Sequence, residues 1–248
     1  MKISLLMTTY NNPPDLVEKS IMSVVNQTHQ NFEMLIKDGD VNHPAIDSPI
    51  IRNLIESLKE KVKYVCSKDG PPENECGNST HNGPYEAMNW CIRESTGDIL
   101  SFLSVDDERG DPTVLAHVNE EFELHGPEPF MLYGACEWID RRSNHIAFKQ
   151  PPVVPITFES LLRDYTLYTP SIFWNRAVNE KFGVFDEEHY KWCGDLDFWL
   201  RAWRGMDSKF TPEIIGKYRV WGVSLSRDNS DIMGPESLSI QKKHRETL

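Results

Sequence analysis

The chain has 248 residues, 39% hydrophobic and 26% charged, enough to bury a sizeable core and too apolar for a disordered segment. Its 26 Lys+Arg against 38 Asp+Glu give a net charge of −12, a field that repels phosphate polymers and argues against nucleic-acid binding; an anionic substrate would need locally placed cations or a metal. No apolar run reaches the length of a membrane span and no charged-then-apolar leader precedes the first strand-like segment, which places the protein in the cytosol.

Taken in order, the first ninety or so residues alternate strand and helix. Ile3 to Met7 is a short apolar run ending in Thr8-Thr9-Tyr10-Asn11, and Pro13-Pro14-Asp15 opens a helix with Leu16, Val17, Ile21, Val24 and Val25 at helical spacing. Phe32 to Ile36 is the next strand and breaks at Asp38-Gly39-Asp40. Ile51, Leu54, Ile55 and Leu58 trace one helical face, and Val62 to Val65 returns as a third strand. Residues 68–84 are polar and rich in Gly, Pro and Asn, a loop long enough to be functional or disordered. A helix from Tyr85 to about Glu94 carries Ala87, Met88, Cys91 and Ile92 on one side. Ile99 to Val105 is a buried strand running straight into Asp106-Asp107.

Strands joined by helices pair in parallel, and the loops at their carboxyl ends gather along one edge, where open α/β sheets bind ligands. Thr8-Tyr10-Asn11, Asp38 and Asp106-Asp107 all follow strands, so three chain segments converge on one crevice. Beyond a helix from Pro112 to Leu124 the pattern turns mixed. A strand at Met131 to Cys136, a proline-rich loop at 150–155, a short helix near Phe158 to Arg163 and a strand at Ser171 to Trp174 come first. A helix from Arg176 then ends at Gly183, and one opened by Asp195 carries Leu196, Trp199, Leu200 and Trp203 inward. The five cysteines, Cys66, Cys76, Cys91, Cys136 and Cys193, contain no C-x-x-C pair and read as core residues. The last fifteen residues are polar and read as a mobile tail.

Several of these blocks resemble the family 2 glycosyltransferases, inverting enzymes of the GT-A fold that use nucleotide sugars. ISLLMTTYNNPPDLVEKSIMSVVNQTHQNFEMLIKDGD is similar to the family's opening strand, Tyr-Asn loop, Gln-Thr turn and second strand with its aspartate. GPYEAMNWCIRESTGDILSFLSVDD resembles the helix and strand leading to its metal-binding aspartates. TPSIFWNRAVNEKFGVFDE and GDLDFWLRA resemble the acceptor-side segment and the helix of the catalytic base. The resemblance runs from about residue 2 to residue 226. It implies a Rossmann-like nucleotide-sugar-binding half with a mostly parallel sheet over residues 1–110, an acceptor and base half over 111–230 of the same compact domain, and a polar tail over 231–248. Departures stand at Gly194, where relatives often have Glu, at Trp90 and Cys91, and at Thr169 and Trp221, where relatives often have histidine.

Inverting transfer needs a leaving diphosphate whose growing charge is neutralised, an acceptor hydroxyl whose proton is removed, and a pocket holding both in line. A hard divalent ion suits the first task because it takes carboxylate and phosphate oxygens. The resemblance implies that Asp107 contacts Mn²⁺ or Mg²⁺ and that Asp106 lies nearer the ribose or sugar. It implies that Asp195 is the base, with Asp197 in reserve, and that Thr8, Tyr10, Asn11, Asp38 and Asn89 bind the nucleotide sugar, Asp38 through the base ring. Arg219, Ser224, Ser226 and Arg227 lie in a segment that in relatives closes over the diphosphate. The donor implied is a UDP-sugar and the acceptor a glycan or lipid-linked sugar of surface polysaccharide synthesis, reached by peripheral contact at the inner face of a membrane.

Plainer readings exist for each residue. An Asp-Asp pair also makes a turn or a helix cap, Asp195 also caps a helix, and Asn11 and Asp38 also serve turns. A helix amino end would stabilise the Asp195 carboxylate, so a basic role requires burial as an offset. The rival functions are a sugar-binding module that has lost activity and a nucleotidyltransferase or nucleotide-sugar hydrolase. The TTYNNPP loop lacks the Gly- and basic-rich character of a nucleotidyltransferase.

Overall fold

Apolar alternation along the first strand sorts its side chains onto two faces, and each face grows a hydrophobic layer. In the computed structural model, which describes residues 1–40, 42–66, 84–151, 154–221 and 230–246, β1 (Ile3–Thr9) sends Ile3, Leu5 and Met7 to one side. There they meet Met34 and Ile36 of β2 (Phe32–Asp38), Val17, Ile21 and Val24 of α1 (Pro14–Val25) and Ile51 and Ile55 of α2 (Pro49–Ser57). Leu6 and Leu35 face the other way, with Leu100 and Phe102 of β4 (Ile99–Phe102). Over that face lie Tyr85, Cys91 and Ile92 of α3 (Tyr85–Glu94) and Leu196, Phe198, Trp199 and Leu200 of α7 (Gly194–Ala202). Each such side chain, once fully buried, contributes roughly 1.5–3 kcal/mol.

The remaining elements are β3 (Val62–Cys66), β5 (Glu108–Arg109), α4 (Val114–His125), β6 (Phe130–Ile139), β7 (His145–Lys149), α5 (Phe158–Arg163), β8 (Ile172–Asn175), α6 (Arg176–Phe182), β9 (Asp207–Arg219) and α8 (Ser230–Glu246). Among the described residues the strands form one nine-stranded sheet in the order β3-β2-β1-β4-β8-β6-β9-β5, with β7 also on β6. The first four strands pair in parallel, as their helical connections require. Antiparallel β8 then joins β4 to β6, and β9 runs parallel to β6. The α/β expectation, parallel in the first half and mixed in the second, describes this sheet.

Three elements depart from the sequence reading. β4 ends at Phe102 rather than Val105; the Leu103 amide still bonds the Leu6 carbonyl at 2.9 Å, and a turn then closes with the Asp107 amide on the Ser104 carbonyl at 3.0 Å. The 13-residue β9 was not anticipated, because Pro212 breaks a strand pattern. The register explains how the strand survives: Thr211 pairs with Gly134 and Ile214 with Ala135, so Pro212 and Glu213 fall in a bulge where no ladder amide is needed. Gly134 makes room for it, since a Cβ there would lie 2.7 Å from Ile215 Cγ1. Most of the segment read as a tail, 231–248, is helical within Ser230–Glu246, with Ile240 fully buried, Met233 packed on the same core and polar residues adding contacts. The long loop read over 68–84 lies, but for Pro84, outside the described residues, as do Ser224, Ser226 and Arg227. Cys66, Cys91, Cys136 and Cys193 are buried, and Cys76 is outside the described residues.

Candidate active site at the carboxyl edge of the sheet

The strand register brings the candidate residues to one rim. Thr9 pairs with Asp38 and Leu6 with Phe102, so the loops after β1, β2 and β4 leave the sheet at neighbouring points of its carboxyl edge. The chain after β4 is held there by α1 and β9. Ser20 Oγ donates to the Ser104 carbonyl at 3.1 Å, and the Arg109 amide donates to Ser23 Oγ at 2.9 Å. Gln27, from the Gln-Thr turn, donates to the Asp111 carbonyl and accepts from the Leu115 amide. On the opposite side β5 pairs with β9, and Gly110 approaches so closely that a Cβ would sit 1.9 Å from the Ile214 carbonyl oxygen.

Within this frame Asp107 is 2% exposed, and its Oδ1 accepts the Arg219 amide at 2.8 Å. Burial, then the neighbouring Asp106 charge, push its carboxyl well above the usual carboxylate range. The Arg219 guanidinium is aimed elsewhere, donating from Nε to the Asp106 carbonyl at 2.6 Å and pairing with Glu108. Arg219 is therefore a buried brace of the aspartate turn. Arg109, also buried, donates to the Pro170 and Phe102 carbonyls and Ser101 Oγ, and desolvation lowers its pKa to about 9. Asp106 accepts the Trp221 indole N–H at 2.9 Å, so the tryptophan standing where relatives often have histidine holds the first aspartate. Burial and the adjacent Asp106 charge disfavour ionisation of Asp107, a cost that a hard divalent cation taking carboxylate oxygens would relieve. Among the described residues no group of three or more His, Cys, Asp or Glu is gathered.

On the nucleotide side, Thr8 is half-buried at the end of β1 and Tyr10 is 49% exposed at the rim. Asn11 takes φ 51, a left-handed conformation asparagine tolerates, and turns the loop; the loop's own bonds belong to Asn12, whose Oδ1 accepts from the Tyr10 amide and Thr9 hydroxyl. Asn12 was not singled out from sequence, and neither Asn side chain caps α1. Asp38 is 1% exposed and accepts from the Asp40 amide at 2.9 Å, the Ala45 amide at 2.7 Å and the Tyr64 hydroxyl at 2.5 Å. Those three bonds shape the loop after β2, and any donor base ring competes with them. Asn89 is equally buried: its amide brackets the Phe185 backbone from both ends and donates to Glu187 at 2.6 Å. It ties α3 to the acceptor-side segment.

Asp195 is the second residue of α7 and is partly exposed. Its Oδ1 lies 2.9 Å from the Tyr85 hydroxyl and accepts the Leu196 amide at 2.9 Å. Tyr85 opens α3 at the carboxyl edge, so this bond, between residues 110 apart in the chain, brings Asp195 to the sheet edge at which the Asp106-Asp107 turn leaves β4. Desolvation raises the Asp195 carboxyl above its ordinary value against the lowering effect of hydrogen bonds from Tyr165 and Tyr85; the offset a basic role requires is present. Asp197, fully buried, faces the opposite way. It accepts from Arg201 at 2.8 Å and from Lys243 and His244 of α8 at 3.0 Å each, and these partners outweigh burial and hold its carboxyl far below the usual range. Glu236 of α8 accepts the amides of Lys191, Trp192 and Cys193, fixing the approach to α7. A cavity of about 380 Å³ lined by Glu86, Glu187, Glu188 and Lys191 opens beside the amino end of α3. Tyr85, Tyr165 and Glu236 were missed as functional residues. Tyr85 alone carried a signal, because it starts a helix directly after a loop from the rim.

Comparison with known proteins agrees with this geometry. The sequence model described as glycosyl transferase family 2 matches residues 4–127. An uncharacterized glycosyltransferase of Rickettsia conorii is 23% identical over 227 residues, covering 88% of this chain and 34% of its own length, so the chain spans about a third of that relative. Among solved structures, S. aureus TarS 1-349 in complex with UDP superposes with a TM-score of 0.67 at 16% identity, covering 97% of this chain and 65% of that one. The same TarS fragment is known with UDP-GlcNAc. The mannosyltransferase PcManGT of Pyrobaculum calidifontis, in complex with GDP-Man and Mn²⁺, gives 0.58 at 15% identity, covering 92% and 59%. These likenesses show a shared fold of the GT-A type. With the family model matching residues 4–127, half its length, the chain belongs to glycosyl transferase family 2.

Proposed function

We propose that the chain transfers a sugar, with inversion, from a UDP-sugar to an acceptor hydroxyl, with Asp195 as the base and Asp107 as ligand of Mn²⁺ or Mg²⁺. The observation that carries this reading is that two carboxylates with raised pKa, Asp107 and Asp195, stand on one sheet edge, one at the strand end and one at a helix start. Asp195 takes the acceptor proton; raised basicity suits that task. The cation, when bound, neutralises charge on the leaving diphosphate. Thr8, Tyr10 and Asn11 surround the base and ribose, Asp106 faces the ribose or sugar, Asp38 shapes the loop beside the base, and Asn89 positions the acceptor side. The family match, the UDP and UDP-GlcNAc complexes of TarS and the Mn²⁺ complex of PcManGT support the donor and metal classes. The acceptor in this reading is a glycan or lipid-linked sugar of polysaccharide synthesis, met at the cytosolic face of a membrane, and the family likeness supports hexosyl transfer; no helix among the described residues is long and apolar enough to cross a membrane.

Calorimetry with UDP, with and without Mn²⁺, followed by UDP release from UDP-sugars, tests the proposal. Binding that requires the metal, with turnover of at least one UDP-sugar, is the expected result. Metal-dependent binding without turnover of any nucleotide sugar supports a sugar-binding module instead, and no binding removes the reading altogether.

A further inference from the structure

We propose that Tyr85 is the positioning residue of Asp195 and that Gly194 exists to seat the Tyr85 ring. The inference rests on the reading of Asp195 as the base. A Cβ at residue 194 would lie 2.9 Å from Tyr85 Cε2 and 3.1 Å from Cδ2, so any larger residue there drives the ring away. That ring is itself fixed: it is 3% exposed and packs on Phe185 at a centroid distance of 5.2 Å.

The hydroxyl has one proton and two acceptors at equal distance, Asp195 Oδ1 and the Trp192 carbonyl, both at 2.9 Å. When Asp195 is ionised, Tyr85 donates to it. Oδ1 already accepts from Tyr85 and from the Leu196 amide, so the acceptor's proton goes to Oδ2, while the Tyr85 proton stays hydrogen-bonded to Oδ1 or turns to the Trp192 carbonyl. Tyr85 keeps one proton throughout, and no heavy atom moves. The Trp192 carbonyl is held in place because the Trp192 and Cys193 amides are bonded to Glu236 at 2.8 and 2.6 Å. Both protonation states of the base are therefore satisfied by one fixed frame, the preorganisation that general-base catalysis needs.

The ionisable groups around the carboxylate are Tyr85 of α3, Tyr165 after α5, Cys193 at the start of α7, and Glu236 of α8 behind Cys193. Burial raises both tyrosines and brings Cys193 to about 12, so those three stay neutral across the working range.

The test is Tyr85→Phe, which keeps the ring and removes the hydroxyl, followed by ¹³C-carboxyl NMR of labelled aspartates, with Asp195→Asn to assign the resonance, and by UDP release from UDP-GlcNAc with water as acceptor. Tyr85→Phe is expected to shift the Asp195 titration to higher pH, because the ionised form loses a donor. It should move the acid limb of the rate profile the same way and lower kcat roughly tenfold to a hundredfold, with UDP affinity unchanged. Gly194→Ala, which displaces the ring with its hydroxyl present, should lower kcat in the same direction. An unmoved titration and acid limb in Tyr85→Phe, or wild-type kcat in Gly194→Ala, overturns the proposal while leaving the base assignment intact. Wild-type release by Asp195→Asn overturns the base assignment itself.

Discussion

The rim holds two aspartate pairs, and they are built on opposite plans. At residues 106–107 the carboxylates are adjacent in a turn, the buried one is raised by its neighbour, and the nearby Arg219 guanidinium bonds elsewhere. At 195 and 197 the two are on one helix but about 200° apart around its axis. Burial raises Asp195 although the Tyr85 hydroxyl works against it; Asp197 meets Arg201, Lys243 and His244 behind it and is lowered. The first pair keeps its deficit of positive charge for a ligand to fill, and the second divides the roles, one carboxylate for chemistry and one for anchoring α8. What separates them is who stands opposite, since the residue type is the same in all four places.

The contrast can be broken by substitution. Asp195→Asn is expected to lower turnover by roughly 10²–10⁴-fold while UDP calorimetry is unchanged; near-normal turnover would mean that the rim-facing member of the second pair does no chemistry. Asp107→Ala should abolish the Mn²⁺-dependent part of UDP binding and leave thermal stability equal or higher, since a buried, raised carboxyl is removed. Retained metal dependence would place the cation elsewhere.

Asp197→Asn should leave the site's chemistry in place but destabilise the fold by about 3 kcal/mol, because Arg201, Lys243 and His244 lose their counter-charge. The pH dependence has a definite sign. The Asp197 pKa is lowered from its ordinary 3.8, so its contribution is present above that value and disappears as pH falls below it toward the folded value. Denaturation curves for the variant should be flatter across that acid window than those of the parent; parallel curves would show that the cluster carries no net stability. The smallest effect is expected from Trp221→Phe, which removes one hydrogen bond to Asp106 and should weaken UDP–Mn²⁺ binding by about 1 kcal/mol. A tenfold or greater change in calorimetry would instead show that Trp221 touches the donor.

Much of the fold was legible because its signals are local. β1 to β4 and α1 to α3 follow from period, cap and run length, and their order alone placed Thr8, Asp38 and Asp106-Asp107 on one edge. β9 was not, because Pro212 is tolerated only through a bulge defined by its partner β6. The helix over residues 230–246 was hidden for a related reason: it is held to the body by charged and polar side chains, Glu236, Lys243 and His244, which in a sequence read as solvated.

By itself the sequence determined the alternation of strand and helix, the parallel half of the sheet and the aspartates at its rim, because side-chain periodicity and turn chemistry act between neighbours in the chain. Only the tertiary structure decided that Tyr85 faces Asp195, that Trp221 holds Asp106 and that Asp38 and Asn89 are turned inward to the protein's own backbone. The Asn89, Tyr85 and Trp221 contacts span 96, 110 and 115 residues, and whether a carboxylate is raised or lowered depends on how the fold buries it and which distant groups it sets against it.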